Sequence, residues 1–322
     1  MEKRQKKKTD LKKYRMLFIF LGMIVLSALV NDRFLTVKNI ANIMRQIAAN
    51  GILACGMTFV MLTGGFDLSV GATLTLAGGT ALTLQPYMGV GGAIAAALLV
   101  GALCGCFNGV ILSGIKAGSG EAFMITLGSQ LVIFGISLLV FKAKFIPGSK
   151  SAVYNAIGTG NLGWIPVPLL IFAATAAIAH VVLAYTSLGR RIYLTGGNYE
   201  AARLSGVRVG FYKMLVYVVV GVAAAMSAVV LTSRSGGCSS DIGKGYELDA
   251  IAAVMVGGTS TDGGEGNIGR TILGVLMIGV LNNILNLMGM SSFNQMIAKG
   301  IVVILAVWLD GSRKTDKGGA ES

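Results

Sequence analysis

Long stretches of this chain carry no charged side chain, and nothing else in it restricts the possible folds so strongly. Arg45 to Asp67 encloses 21 such residues (46–66), Glu121 to Lys142 encloses 20 (122–141), and Lys213 to Arg234 encloses 20 (214–233). A helix needs about 20 apolar residues to cross the hydrocarbon of a bilayer, so each run fits one span. The 48 uncharged residues at 68–115 require two crossings, with a break expected near Gln85-Pro86. The 39 at 151–189 begin with the turn formers Gly158, Gly160, Asn161, Pro166 and Pro168, so a loop is expected there and a helix from about Pro168. Charged residues make up 13% of the 322, against about 25% in soluble domains, and they cluster between the runs. That excludes a water-soluble globule, and apolar runs without alternation exclude a β-barrel.

Ten segments result: 16–31, 46–63, 68–84, 89–114, 122–141, 168–186, 213–232, 248–258, 268–288 and 293–309. The fold class is an all-α integral membrane protein of about ten transmembrane helices. The net charge of +13 does not point to nucleic acid, because 8 of the 27 Lys and Arg residues lie within positions 1–15. Under the positive-inside rule they keep this tail in the cytoplasm. Six crossings later, 187–212 returns there with Arg190, Arg191, Arg203 and Arg208 against one acid, Glu200; the last residues add Arg313, Lys314 and Lys317. The chain therefore divides into a cytoplasmic basic tail (1–15), a transmembrane domain (16–310) and a cytoplasmic tail (311–322), with both termini inside. A basic start followed by an apolar run also describes a signal peptide. No small-x-small cleavage site precedes Asn31-Asp32-Arg33, and removal would break the even count, so the run reads as a retained anchor.

Glycine occurs 46 times, about twice the usual share, and within the apolar runs. Gly101, Gly105 and Gly109, and Gly274 and Gly279, are spaced to let helices approach closely where no hydrophobic effect presses them together. Four cysteines (Cys55, Cys104, Cys106, Cys238) give no disulfide framework, and with His180 as the single imidazole no metal site is expected. Covalent chemistry has no Ser/His/Asp constellation to rest on. The Gly-rich run 236–245 departs from a phosphate-binding loop in both spacing and its final residue, Gly245.

Residues 65–80, GFDLSVGATLTLAGGT, are echoed at 245–260, GYELDAIAAVMVGGTS, with an offset of 180. Asn108 near the end of the first half compares with Asn282 and Asn283 in the second. With ten spans the copies enter from opposite sides, which makes an inverted repeat, and such repeats in transporters enclose a substrate path. Both copies carry an acid, Asp67 and Glu247, and an unpaired carboxylate at membrane depth costs at least about 2.5 kcal/mol. Two readings remain open for them: capping of free backbone N–H groups by Asp67 with Ser69, similarly by Asp249 and by Glu121, or direct contact with a ligand. The polar candidates for a path are Asp67, Ser69, Asn108, Glu247, Asp249, Asn282, Asn283 and also Asn286. Asparagines within helices otherwise bond a neighbouring helix.

The stretches GMTFVMLTGGFDLSVGATLTLAGG (56–79), GGNYEAARLSGV (196–207), YELDAIAAVMVGGTS (246–260) and GVLNNILNLMGMSSFNQMIAKGIVVILAVWLD (279–310) resemble the ribose-type, monosaccharide-importing ABC permeases over nearly the whole chain after the basic tail. Branched-chain amino-acid and nucleoside permeases look different at the DLSVG element. Phe66 and the acidic 261–266, TDGGEG, depart from the pattern and leave the identity of the sugar open. The resemblance implies a bacterial cytoplasmic (inner) membrane protein that is not itself an enzyme. It implies a permease dimer, an extracytoplasmic sugar-binding protein, and a separate cytoplasmic ATPase that binds ATP and magnesium, with no cofactor on this chain. It also implies that 187–212 is the ATPase-coupling segment, through Gly197, Asn198, Glu200, Ala201, Ala202, Arg203, Ser205 and Gly206. An alternative is a sibling permease for another small polar solute, an autoinducer furanose or a polyol. A third reading is an ion-coupled secondary transporter using Asp67 or Glu247.

Overall fold

The computed structural model describes residues 15–115, 117–291, 293–301 and 304. Helix α1 spans Arg15–Val30, α2 Val37–Leu62, α3 Val70–Gly114, α4 Ser119–Phe141, α5 Ala152–Thr159, α6 Val167–Tyr185, α7 Ser187–Gly197, α8 Tyr199–Leu204, α9 Val209–Ser235, α10 Tyr246–Val256 and α11 Ile268–Leu287. Residues 293–301 form a further helix, α12, and the rest of the expected 293–309 span lies largely outside the described residues. Six of these helices are long and apolar enough to cross a membrane: α2, α3, α4, α6, α9 and α11. Residues 1–14 of the basic tail and residues 311–322 also fall outside the described residues.

Helix α3 runs 45 residues and is two helices folded back on each other at Gly89, whose φ of 69° is open to glycine. Ser69 meets Asn108 by a hydrogen bond of 2.8 Å, and Ala72 and Leu76 pack with Cys104 and Val100, so paired positions sum to about 177 and the apex falls at 88–89. The break is therefore at Gly89, not at Gln85-Pro86. Pro86 remains inside the helix, because proline fixes a helical φ and loses one hydrogen bond, whereas reversal needs a positive φ.

Helix α2 begins at Val37, nine residues before the expected start at 46, with Thr36 accepting from the Asn39 N–H. An uncharged run measures only the part at hydrocarbon depth; Lys38 and Arg45 continue the helix beyond it. From Ile47 to Leu62 every residue of α2 is buried, which makes it the centre of the bundle. Around it pack α9, α6, α11 and α10. The expected loop before α6 holds α5 and a small hairpin of β2 (Asn161–Leu162) with β3 (Ile165–Pro166), turned at Gly163 with a φ of 62°. A second ladder pairs β1 (Ile146–Pro147) with β4 (Gly237–Cys238) at the same end.

The expected glycine contacts are present. A Cβ at Gly101 would strike the Gly221 carbonyl, one at Gly105 the Tyr217 carbonyl, and one at Gly109 would stand 2.8 Å from Met214 Cα, so α3 and α9 touch backbone to backbone. Gly274 packs in the same way on Ala253 of α10, and Gly279 on Ile47.

Candidate functional site

The first copy of the repeated element forms a closed polar cluster where α2 hands over to α3. Asp67, 1% exposed, accepts from the Ser69 N–H at 2.8 Å and the Ser69 hydroxyl at 2.6 Å, and Asn108 Nδ2 reaches Asp67 at 3.4 Å and Ser69 Oγ at 2.8 Å. The carboxylate thus turns the chain into the helix by an Asx-type contact two residues on, while Ser69 itself makes no side-chain cap bond. Tyr217 of α9 donates to the Phe66 carbonyl at 3.0 Å and holds the turn from outside.

The second copy is built around α10. Glu247 accepts the Gly245 N–H at 3.1 and 3.2 Å and Gln130 Nε2 at 3.4 Å, and its carboxylate occupies the space that a Cβ at Gly71 would fill. Asp249 pairs with Lys299 of α12 at 2.8 Å, with Asn282 nearby. Asn283 faces the other way, in a reciprocal pair with Asn39. Asn286 accepts from Gln295 at 2.9 Å. Glu121 closes a capping box on the Gly118 N–H at 2.9 Å.

Beside the second cluster α3, α4 and the 240–244 loop line an open cavity of about 250 Å3. Thr75, Gln130, Ser240, Asp241 and Lys244 supply its polar groups, and Phe134 offers an aromatic face. None of these stood out in the sequence. Gln130 sits alone in an apolar run, and the 240–244 residues belong to the stretch that fails as a phosphate loop; polar residues that are few in such runs were the available signal.

At one end of the bundle the loop after α2, the segment 187–212 and the loop 257–267 meet. Gly264 N–H bonds the Leu62 carbonyl at 2.9 Å, and a Cβ at Gly196 would collide with that same carbonyl. Tyr193 donates to the Gly266 carbonyl at 2.8 Å; burial pushes its phenol above the ordinary value, so it remains a neutral donor. Lys213 Nζ donates to the Ala117 carbonyl. Helix α8 stands on this platform. Asn198 caps it by accepting the Ala201 N–H at 2.9 Å, and Glu200 pairs with Arg203 at 2.8 Å on the open side. Ala202 is turned inward at 2% exposure, whereas Ala201, Ser205 and Gly206 are exposed and Leu204 is 79% exposed.

The family described as branched-chain amino acid transport system / permease component matches residues 39–307. The ribose import permease protein RbsC of Haemophilus influenzae is 41% identical over 305 residues, covering 92% of this chain and 94% of its own. RbsC of Bacillus subtilis is 42% identical over 300 residues, 90% of this chain and 91% of its own. The chain belongs to the ribose-type ABC permease family. The D-allose transport system permease protein AlsC of Escherichia coli is similar at 35% identity over 300 residues, 91% of this chain and 90% of its own. No solved structure matches the permease significantly. As a multi-pass permease it is placed in the inner membrane by its family and its apolar helices together.

Proposed function

We propose that this permease is the membrane-spanning subunit of an ATP-driven importer for a monosaccharide, a ribose-like pentose or a hexose. The observation that carries this reading is likeness across at least nine-tenths of the chain to permeases named for ribose, and at lower identity to one named for D-allose. A separate ATPase, an extracytoplasmic binding protein and a second permease copy complete the importer in this reading.

The architecture proposed is ten helices in an inverted repeat. Supporting it, Ser69 and Asp249 hold equivalent positions at the offset of 180; Ser69 bonds Asn108 of the following helical segment, and Asp249 has Asn282 nearby. The path then runs along the interface of the two halves, past Asp67, Ser69, Asn108, Glu247, Asp249 and Asn282, with the 250 Å3 cavity beside it. Asn283 is a packing contact in this scheme. The sites must be weak for sugar to leave, so affinity belongs to the binding protein.

The segment 187–212 is proposed as the ATPase-facing surface, with α8 as its contact and both chain termini on the same side. ATP binding can shift the permease only if the closed ATPase dimer binds one of its conformations better than the other. The joints from α7, which leads into α8, to the loops at 62–65 and 257–267 give that difference a route to both halves of the repeat. In proteoliposomes containing the permease and its ATPase, binding protein loaded with the cognate monosaccharide should stimulate ATP hydrolysis. Uptake driven by an ion gradient without nucleotide would overturn the reading.

A further inference from the structure

Helices α6 and α9 both pack on α2 but scarcely touch each other. The gap between them is a groove of about 350 Å3, floored by Cys55 and Phe59 of α2. Its one hydroxyl, on Thr175, is spent on the Ile171 carbonyl at 2.9 Å, and the other lining side chains are apolar. Ile178 on its rim is 66% exposed, so the groove opens outward, away from the polar clusters. Leu188 and Ile192 of α7 close one end.

Just past that end lies a cavity of opposite chemistry, about 380 Å3 in volume, with Arg191 and Arg208 beside Phe211 and Tyr212. One face of α9 joins the two: Phe211 belongs to the basic cavity, and Leu215, Val219, Val222 and Met226 follow at helical spacing along the groove. Arg191 stands on α7 between the groove residues Leu188 and Ile192. Its guanidinium donates to the Tyr212 hydroxyl and lies 5.6 Å over that ring. Among the described residues neither arginine has a carboxylate partner.

We propose that groove and cavity together bind one anionic phospholipid, with an acyl chain along α9 and the phosphate on Arg191 and Arg208. An apolar trough facing the bilayer takes hydrocarbon, since water finds no partner in it. Two arginines lining one cavity past its end then select the headgroup, because arginine matches phosphate oxygens in geometry as well as charge. A zwitterionic lipid fills the groove but neutralises the arginines poorly, and a helix from a second permease copy brings them no anion.

The permease is exchanged into nanodiscs of phosphatidylcholine with graded phosphatidylglycerol, extracted, and its retained lipids counted by mass spectrometry. Phosphatidylglycerol should be retained over phosphatidylcholine by about thirtyfold relative to the bulk mixture, as two basic residues at an anionic surface supply. Arg191→Gln with Arg208→Gln should abolish that preference while lipid is still retained, and Val222→Trp should expel lipid of both kinds. Equal retention of the two lipids by the unaltered permease overturns the proposal, whatever the variants do. So does a preference that survives the double substitution, or efficient crosslinking between two copies through Val222→Cys.

Discussion

Asn39 and Asn283 hold each other by two reciprocal hydrogen bonds of 2.9 and 2.8 Å, which tie α2 to α11 across 244 residues of chain. Each amide uses both its oxygen and its nitrogen on the other, and both residues are buried. A pair satisfied in this way packs helices and offers nothing to a passing solute. Asn39→Ala and Asn283→Ala should each lower the stability of the detergent-solubilised permease by about 1–2 kcal/mol, because each leaves the other amide unmet. The double variant should lose clearly less than the sum, with a coupling of at least about 0.5 kcal/mol in thermal unfolding. Strict additivity would show that the pair does not form.

The spans were legible because charge gaps, turn formers and bilayer thickness set them, and α4, α6 and α11 begin and end within a few residues of the expected segments. The reversal in α3 was not, since Pro86 is the louder breaker while Gly89 alone offers the positive φ. Asp67 and Ser69 were read together as a cap and Asn108 apart from them; that the three form one cluster depends on a hairpin of 39 residues. That Asn283 pairs with Asn39 was not legible for the same reason: its partner lies on a helix 244 positions away, and no local pattern distinguishes it from Asn282. Lys299 was absorbed into an apolar span although it neutralises Asp249.

Asp67 distinguishes a structural carboxylate from an ion-coupling one. Its oxygen accepts from Ser69 and Asn108, so Asp67→Asn keeps an acceptor there, whereas Asp67→Ala strands the Ser69 N–H and hydroxyl in the interior. Asp67→Ala should cost about 1–3 kcal/mol and reduce the yield of folded permease. Asp67→Asn should cost less and retain ATP-driven uptake in reconstituted vesicles. Complete loss of uptake in a folded Asp67→Asn permease would favour a titrating or ion-binding role.

The α3–α9 contact gives a sharper test of packing. A Cβ at Gly105 meets the Tyr217 backbone, whereas one at Gly135 of α4 meets nothing within 4 Å. Both glycines sit in apolar helices, so propensity and hydropathy change alike. Gly105→Val should destabilise by about 1–3 kcal/mol or more, through forced separation of two backbones. Gly135→Val should stay within about 0.5 kcal/mol of the parent. Equal melting temperatures for the two variants would contradict the close approach of α3 to α9.

The coupling surface is tested best at Leu204, not at Ala202. Ala202 is buried, so Ala202→Arg would force a charge into the permease and unseat α8, and loss of transport would say nothing of docking. Gly206 has a φ of 79°, and Gly206→Trp adds backbone strain of about 1–2 kcal/mol to any clash with a partner. Leu204, 79% exposed and apolar, has no such role within the chain. Leu204→Asp should therefore leave the melting temperature within about 2 °C of the parent, as surface changes do. The same substitution should lower ATPase association at least about tenfold, since apolar side chains seated in a partner's pocket carry most of a contact's energy. Undiminished ATPase binding and uptake by this variant would show that α8 is an ordinary solvent-facing turn, and would move the coupling surface elsewhere on the same end of the bundle.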